Sequence, residues 1–592
     1  MCGIAGQYCF GTNTPDKDLL KRMSEILKHR GPDGEGSYFN NKIGLVHRRL
    51  AIIDLSENAH QPMFNEDGSV VIVFNGEIYN YVHLRDILKK LGHIFKSESD
   101  TEVIIHAYEE WGIKCLQEFN GMWAFALWDD KKKLLFCARD RFGIKPFYYT
   151  FINNSIIFAS EIKSLLEHPA VGKEANRVAI DMFLSSGALD FSHMTMFNGI
   201  YQIQPSRGFV ITENGMRDFQ YYDYKVSSEL KSKTDDKNIS DNLLRLLNYS
   251  VKRHLQSDVP IGTCLSGGLD SSTIVKLIKS DKQKTFSAQF KDKRFDESEY
   301  CNYITSDKSI DSYSVEPSPL DIPKDLENLI YYQDEPFGSL SIYAQYCVMR
   351  LAQGKVKVLL DGQGADELFA GYLTYQPGYI KELLYKKEFK LFLKELVGSI
   401  YHHKDFYLYV IKNKFFRSRK FALNYTVSVR YKGSLSNILY NEMRFTNLQS
   451  LLHFEDRNSM AFSIESRVPY LDIWVVNFVS GLSYDQKIRN GVTKISLRNA
   501  VKGIVPEKIR MRMDKMGFVT PEEVWMKNDL KDFVIDIITS ESFNSRRLWD
   551  TTKIRYEYQK FLEGKTGYTP EFWRVVCVEL WLRKFFDNRV KI

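Results

Sequence analysis

PIGTCLSGGLDSSTIVKLI, residues 260 to 278, joins an apolar run to a helical pattern through a turn of serines and glycines. Small residues from Leu265 through Ser266, Gly267 and Gly268 let backbone N–H groups approach an anion, and a helix beginning at Asp270, Ser271 and Ser272 adds the positive end of its dipole. The stretch reads as a phosphate loop, although a Ser/Gly turn also serves as plain punctuation between strand and helix. It is not a Walker A loop, because G-x-x-x-x-G-K-[ST] is absent, and it does not follow G-x-G-x-x-G.

Downstream, TFSAQF and VKVLLDGQGADELFAGY continue the alternation of apolar run and helical pattern, which predicts a parallel α/β sheet. NLLRLLNYSVKRHL, just upstream, starts a helix for which Ser240 or Asp241 is the expected N-cap. Beyond about residue 375 the pattern is mainly helical. Residues 1–210 differ: KIGLVHRRLAIID, VVIVFNGEIYN, LLFCARD and SIIFASEI are short strands between Asn, Gly and Asp clusters, with helices such as TEVIIHAYEEWG among them. An α+β domain rich in antiparallel sheet follows. The polar run TENGMRDFQYYDYKVSSELKSKTDDKNIS marks the junction, giving domains over 1–210 and 241–525, a linker over 211–240 and a helical C-terminal extension over 526–592. A chain of 592 residues is too long for one core, in keeping with this division.

The composition, 44% apolar and 26% charged, is that of an ordinary globular protein. No apolar run approaches the roughly 18 residues of a membrane span, and MCGIAGQYCF lacks the pattern of a signal peptide, so a cytoplasmic protein is expected. Eight cysteines without a CxxC pair suggest neither a disulfide scaffold nor a zinc knot. Residues 381 to 420 carry eleven Lys/Arg against four Asp/Glu, a local +7 equal to the charge of the whole chain. Interleaved Tyr and Phe suit a surface for acidic partners or, more simply, solvated helices with a buried aromatic face. Nucleic-acid binding is not expected, since no recognised module accompanies the charge.

Removal of Met1 would leave Cys2 with its own α-amine beside the thiol, a nucleophile with a built-in base that titrates near about 7.7 to 8.0. MCGIAG, KHRGPDGEG, VHRRLAIID, FNGEIYN, SDTEVI, GMWAFALWD and RDRFGIKPFYY occur in the order found in class II glutamine amidotransferase domains. The first 200 residues resemble that family. The resemblance implies that Cys2 attacks the glutamine side-chain amide, forming a thioester and releasing ammonia. It gives Asn75 and Gly76 as oxyanion donors, Arg49 as the fork on the glutamine α-carboxylate, and Glu77 and Asp100 as receivers of its α-ammonium.

SGGLDSS resembles the pyrophosphate loop of N-type ATP pyrophosphatases, and LLHFEDRNSMAFSIESRVPYLD (451–472) and GVTKISLR extend the likeness to the glutamine-hydrolysing asparagine synthetase family. The implied fold is an α+β N-terminal-nucleophile (αββα sandwich) glutaminase domain followed by an α/β parallel-sheet ATP pyrophosphatase domain with a helical C-terminal part. The implied ligands are glutamine, ATP with Mg2+, and aspartate or another carboxylate. A homodimer is compatible with the sequence. Residues 265–268 and 270–272 with Asp361 and Gly362 would bind ATP, Asp270 and Asp366 would hold magnesium, and Lys494 would contact phosphate. RDRFGIKPFYY and FASEIKSLL would line an ammonia passage.

One position departs from the family. Where its members usually have S-G-E-G-[SA]-D-E, this chain reads Asp361-Gly362-Gln363-Gly364-Ala365-Asp366-Glu367. The glutamate regarded as the base for ammonia attack is Gln363, and an amide cannot supply general-base help worth roughly 10²- to 10⁴-fold. Asp361, or a phosphate oxygen of the departing AMP, is expected to take the proton. The altered turn also leaves room for another acceptor, such as a uronic acid. Readings of a different kind, a degenerate nucleotide-binding regulator or a stand-alone glutaminase, fit less well with Cys2, SGGLDSS and Asp366 all intact.

Overall fold

The computed structural model describes residues 2–172, 174–280, 282–404, 406–408, 433–514 and 519–587. Its N-terminal part holds two six-stranded sheets, all of whose pairings are antiparallel. In one, Gly3–Cys9 lies between Ile43–Arg49 and Ser155–Ala159; in the other, Gly121–Asp129 lies between Val70–Ile78 and Leu134–Arg139. The period of two decides how they stack. Along Val70–Ile78, Val71 and Val73 point between the sheets with Ile4, Leu45 and Trp128. Ile72 and Phe74 point outward beneath the helices Tyr81–Lys90 and Asp100–Trp111, against Leu84, Leu88 and Val103. Helix Lys17–Ile26 covers the other outer face with Leu19, Leu20 and Met23. Both strand faces are therefore buried, which is why these segments read as continuous apolar runs, and the layers form the expected αββα sandwich.

The junction is shorter than the polar composition suggests. Arg207–Thr212 and Gly215–Gln220 form a hairpin on the second sheet, turning through Glu213 and Asn214, with Gly215 after the turn at φ +113°. Gly215–Gln220 is polar because it is an exposed edge strand. The next helix starts at Asp236, and Asp235, not Ser240 or Asp241, caps it by accepting the Asn238 N–H at 2.9 Å. Ile239 is already the first member of the buried stripe Ile239, Leu243, Leu247, Val251, so the start lies one turn earlier than expected.

A five-stranded parallel sheet follows in the order Ile310–Val315, Gln283–Ala288, Ile261–Cys264, Val358–Leu360, Glu465–Arg467. The last strand gave no sequence signal: Glu465, Ser466 and Arg467 are polar yet all buried, with Arg467 paired to Glu465 at 2.6 Å. The remainder is mainly helical. Glu571–Phe585, within the expected C-terminal extension, buries Trp573, Val576 and Trp581 in one core shared with Leu20, Phe183 and Phe197 of the N-terminal part. Among the described residues no helix is long and apolar enough to cross a membrane.

Of the basic segment 381–420, residues 405 and 409–420 lie outside the described residues. The expectation of an aromatic face turned inward holds only in part for helix Phe389–His402: Leu391 and Phe392 pack half-buried against Tyr379 and Leu383, but Phe389, Leu393 and Val397 are more than half exposed, whereas Glu395 and Ser399 are buried. Glu395 faces inward because it accepts the N–H groups of Asn490 and Gly491 at 2.9 and 3.0 Å.

Candidate active sites

Strand Gly3–Cys9 brings Cys2 against the end of Val70–Ile78, where the Cys2 N–H donates to Asn75 Oδ1 at 3.1 Å. That leaves the amide nitrogen of Asn75 buried and without a hydrogen-bond partner among the described residues, an orphan donor beside the thiol. Burial pushes the Cys2 thiol up, with the Leu50 N–H and the Arg49 charge acting the other way, so the nucleophile needs a base. A Cβ at Gly76 would lie 2.1 Å from the Met122 carbonyl, so the neighbouring strand demands glycine there.

The other expected residues gather at this site. Arg49 is buried and donates to the carbonyls of Ser56, at 3.0 Å, and Asp54. Asp100 accepts the Ile78 N–H at 2.8 Å, and burial beside Glu465 pushes its carboxyl up to about 6. Glu77 lies 3.3 Å from Arg467, and its second oxygen is buried without a hydrogen-bond partner among the described residues. Burial and the Glu465 charge raise it well above the usual carboxylate range. Arg30 was not singled out in the sequence, yet its Nε donates to the Cys2 carbonyl at 3.1 Å.

The second site opens at the C-terminal ends of Ile261–Cys264 and Val358–Leu360, where a parallel sheet is expected to bind its ligand. A cavity of about 200 Å³ is lined by Leu265, Ser266, Asp270 and Ser271, by Phe286 to Ala288, and by Asp361 to Gln363. Gly267 has φ +70° and Gly268 precedes helix Leu269–Leu277, whose N-terminus faces the loop. Ser272 Oγ is buried with no hydrogen-bond partner among the described residues. Gly362 packs on the loop itself, since a Cβ there would sit 3.2 Å from Asp270 Cβ.

Asp270, Asp366 and Lys494, far apart in sequence, converge: the Lys494 ammonium lies 2.6 Å from a carboxylate oxygen of each. Although burial opposes it, the two carboxylates hold the lysine pKa above its ordinary value. Two oxygen donors of this kind suit a hard divalent cation. Gly371 lies against the cluster, and a Cβ there would come within 1.9 Å of Asp366 Oδ1 and 2.2 Å of Lys494 Cε, so both side chains would have to move. A neighbouring cavity of about 220 Å³ shares Asp366 and Lys494 and adds Arg498 and Arg512. The SGGLDSS loop lacks Lys and Arg, and distant segments bring the cations to it.

The turn from Asp361 to Glu367 divides by residue. Asp361 accepts the N–H of Gly362 and faces the Cys264 thiol. Glu367 accepts from Tyr372 Oη, at the cavity wall, at 2.9 Å and from Asn447 Nδ2 at 2.6 Å. Burial beside Asp366 pushes it up to about 7.

Between the two sites runs a buried chain of ions. Arg30 forks onto Asp456 at 2.8 and 3.0 Å and reaches Glu161 at 2.7 Å. Lys163 joins Glu161 at 2.5 Å to Asp334 at 2.9 Å, and Lys145 Nζ donates to the Ser466 carbonyl at 3.3 Å. RDRFGIKPFYY and FASEIKSLL thus border the seam between the halves.

Comparison with known proteins agrees with this two-part geometry. The family described as glutamine amidotransferase domain matches residues 1–222, and that described as asparagine synthase matches residues 242–583. The second match includes most of the C-terminal helices. Asparagine synthetase [glutamine-hydrolyzing] 1 of Bacillus subtilis is 32% identical over 584 residues, covering 91% of this chain and 90% of that one. Asparagine synthetase [glutamine-hydrolyzing] 3 of the same organism is 32% identical over 549 residues, covering 86% of each chain. A solved glutamine phosphoribosylpyrophosphate amidotransferase from B. subtilis aligns with a TM-score of 0.29 at 17% identity, covering 44% of this chain and 60% of that one. The chain belongs to the glutamine-hydrolysing asparagine synthetase family, with an amidotransferase domain and an asparagine synthase domain in one polypeptide.

Proposed function

We propose that this enzyme draws ammonia from glutamine at Cys2 and uses it to amidate a carboxylate that ATP has adenylylated, most simply aspartate to asparagine. The observation that carries the reading is the buried bridge in which Arg30 holds the Cys2 carbonyl and forks onto Asp456 of the synthetase half. Two centres tied in this way suit an intermediate passed between them.

In the first half-reaction the α-amine freed by removal of Met1 takes the Cys2 proton, and the thiolate attacks the glutamine amide. Asn75 Nδ2, which has no partner among the described residues, and the Gly76 N–H meet the oxyanion. Asp100 and Glu77 receive the α-ammonium, and Arg49 the α-carboxylate. In the second, the acceptor carboxylate attacks the α-phosphorus of ATP, and pyrophosphate leaves with the electrons of the broken P–O bond. Loop residues Leu265 to Ser272 and the Gly362 backbone hold the phosphates, and Lys494 neutralises charge developing on them. Asp270 and Asp366 would hold Mg2+, which when bound offsets the polyphosphate charge. Released ammonia crosses the seam bordered by Lys145 and Glu161. The substrates belong to the cytoplasm, and the enzyme with them.

Gln363 supports a second acceptor, a uronic acid, because the turn beside the acceptor differs from the family pattern. Pyrophosphate–ATP exchange measured separately with aspartate and with galacturonic acid tests both. Exchange with aspartate alone supports asparagine synthesis, exchange with the uronic acid alone supports the second reading, and exchange with neither rejects the synthetase function.

A further inference from the structure

The turn after Val358–Leu360 needs a base and carries an amide. When ammonia attacks the acyl-adenylate, the nitrogen lone pair forms the C–N bond and the carbonyl π pair moves to oxygen. The nitrogen must then lose a proton before oxygen re-forms C=O and AMP departs with the pair of the broken C–O bond. Gln363 cannot take that proton. Of the carboxylates nearby, Asp366 is engaged by Lys494, and Glu367 is turned toward Tyr372 and Asn447.

A carboxylate absent from the sequence reading reaches the turn from behind. Glu455, on helix Asn447–Met460, is only 2% exposed. One oxygen accepts from Ser466 Oγ at 2.5 Å, the other from Gln345 Nε2, and the Gln363 amide also donates to it. Gln345, Gln363 and Asp361 all line the nucleotide cavity. Each of these three donors to Glu455 is neutral. The charges nearest on its own helix are occupied elsewhere: Asp456 grips Arg30, and Arg457 binds Asp456 at 2.7 Å. The Cys264 thiol and the Asp361 carboxyl complete its surroundings. Burial and the Asp361 charge raise the Glu455 carboxyl well above the usual range. A glutamine there would fill the same space without the cost of burying a charge, so a purely structural role does not account for the acid.

Resting on the synthetase reading above, we propose that Glu455, acting with Asp361 across Gln363, accepts the proton released in ammonia attack. Asp361, which lines the cavity, takes the proton from the reacting nitrogen, and the Glu455 carboxyl beside it shares that proton from behind the turn, so no proton passes through the Gln363 amide. Glu455 also neighbours Asp456, which holds Arg30 on Cys2, so it lies on the side from which ammonia arrives.

The test uses the full enzyme and separates the half-reactions. Pyrophosphate–ATP exchange and glutaminase activity are read beside amide formation from ammonium, and beside hydroxamate formation from hydroxylamine, a nucleophile already unprotonated at neutral pH. Glu455→Gln is expected to keep exchange and glutaminase within about threefold while amide formation falls roughly 10²- to 10⁴-fold. The exchanged pair Gln363→Glu with Glu455→Gln returns a carboxylate to the turn and keeps the amide–acid contact, and it is expected to recover most of the loss. Unchanged amide formation in Glu455→Gln, a parallel fall in exchange, or no recovery in the exchanged pair would overturn the proposal. Wild-type enzyme that exchanges with neither aspartate nor galacturonic acid would overturn the synthetase reading, and this role with it.

Discussion

Asp456→Asn is a small change with a consequence in the other half of the molecule. Asp456 accepts both arms of Arg30, 426 residues away, at 2.8 and 3.0 Å, and Arg457 at 2.7 Å. Burial alone would raise this carboxyl, but Arg30 and Arg457 override it and hold it down to about 2 against an ordinary 3.8. The difference corresponds to stability on the order of 2 kcal/mol, present above about pH 4 and lost as pH falls toward 2. Asparagine keeps the volume and one carbonyl oxygen but loses the charge and turns an NH2 group toward an arginine. Breaking a buried pair costs about 3 to 5 kcal/mol, and the low end applies because Glu161 still neutralises Arg30. Since Arg30 also holds the Cys2 carbonyl, loosening it by even about 1.4 kcal/mol lowers glutaminase kcat/KM about tenfold. Denaturation at pH 7 and glutaminase assays on wild type and variant measure both effects. A variant with the wild-type denaturation midpoint and wild-type glutaminase activity would refute the inference that this bridge supports Cys2.

Asn75→Ala removes the amide nitrogen that has no partner among the described residues, so glutaminase activity should drop about 10²- to 10³-fold while ammonia-dependent synthesis persists; equal losses in both would count against an oxyanion role. Asp100, with its pKa raised to about 6, is neutral below that pH and charged above it, so kcat/KM for glutamine should rise with pH through about 6. That limb should vanish in Asp100→Asn, and its survival there would assign it to another group. Gly371→Ala drives a methyl into the Asp366–Lys494 contact, so pyrophosphate exchange should fall by at least about 10² with glutaminase intact, whereas normal exchange would mean the cluster is dispensable.

The sequence was most legible where apolar period and small-residue turns coincide. Ile261–Cys264 with its loop, and the alternating Val70–Ile78, were readable because backbone geometry dictates the residue types on both. What escaped was buried charge. Glu465–Arg467 is a three-residue strand of polar residues whose burial depends on partners elsewhere in the chain, and no local period marks it. Arg30, Asp456 and Glu455 look like surface residues until the halves close on them. Helix Phe389–His402 misled for a related reason: two backbone N–H groups draw Glu395 into the interior beside Leu391 and Phe392, while Phe389, Leu393 and Val397 stay exposed. Gln363 was visible as a departure, but the carboxylate behind it becomes visible only when position 455 is brought beside position 363.

The most direct test of a single enzyme joining both chemistries is mass spectrometry of the products formed from glutamine labelled with 15N at the side-chain amide, Mg-ATP and aspartate or a uronic acid. The account predicts an amide product carrying 15N, with AMP and pyrophosphate formed in equal amounts to it. Labelled ammonia released without any amide product, or ATP converted to ADP and phosphate, would contradict it.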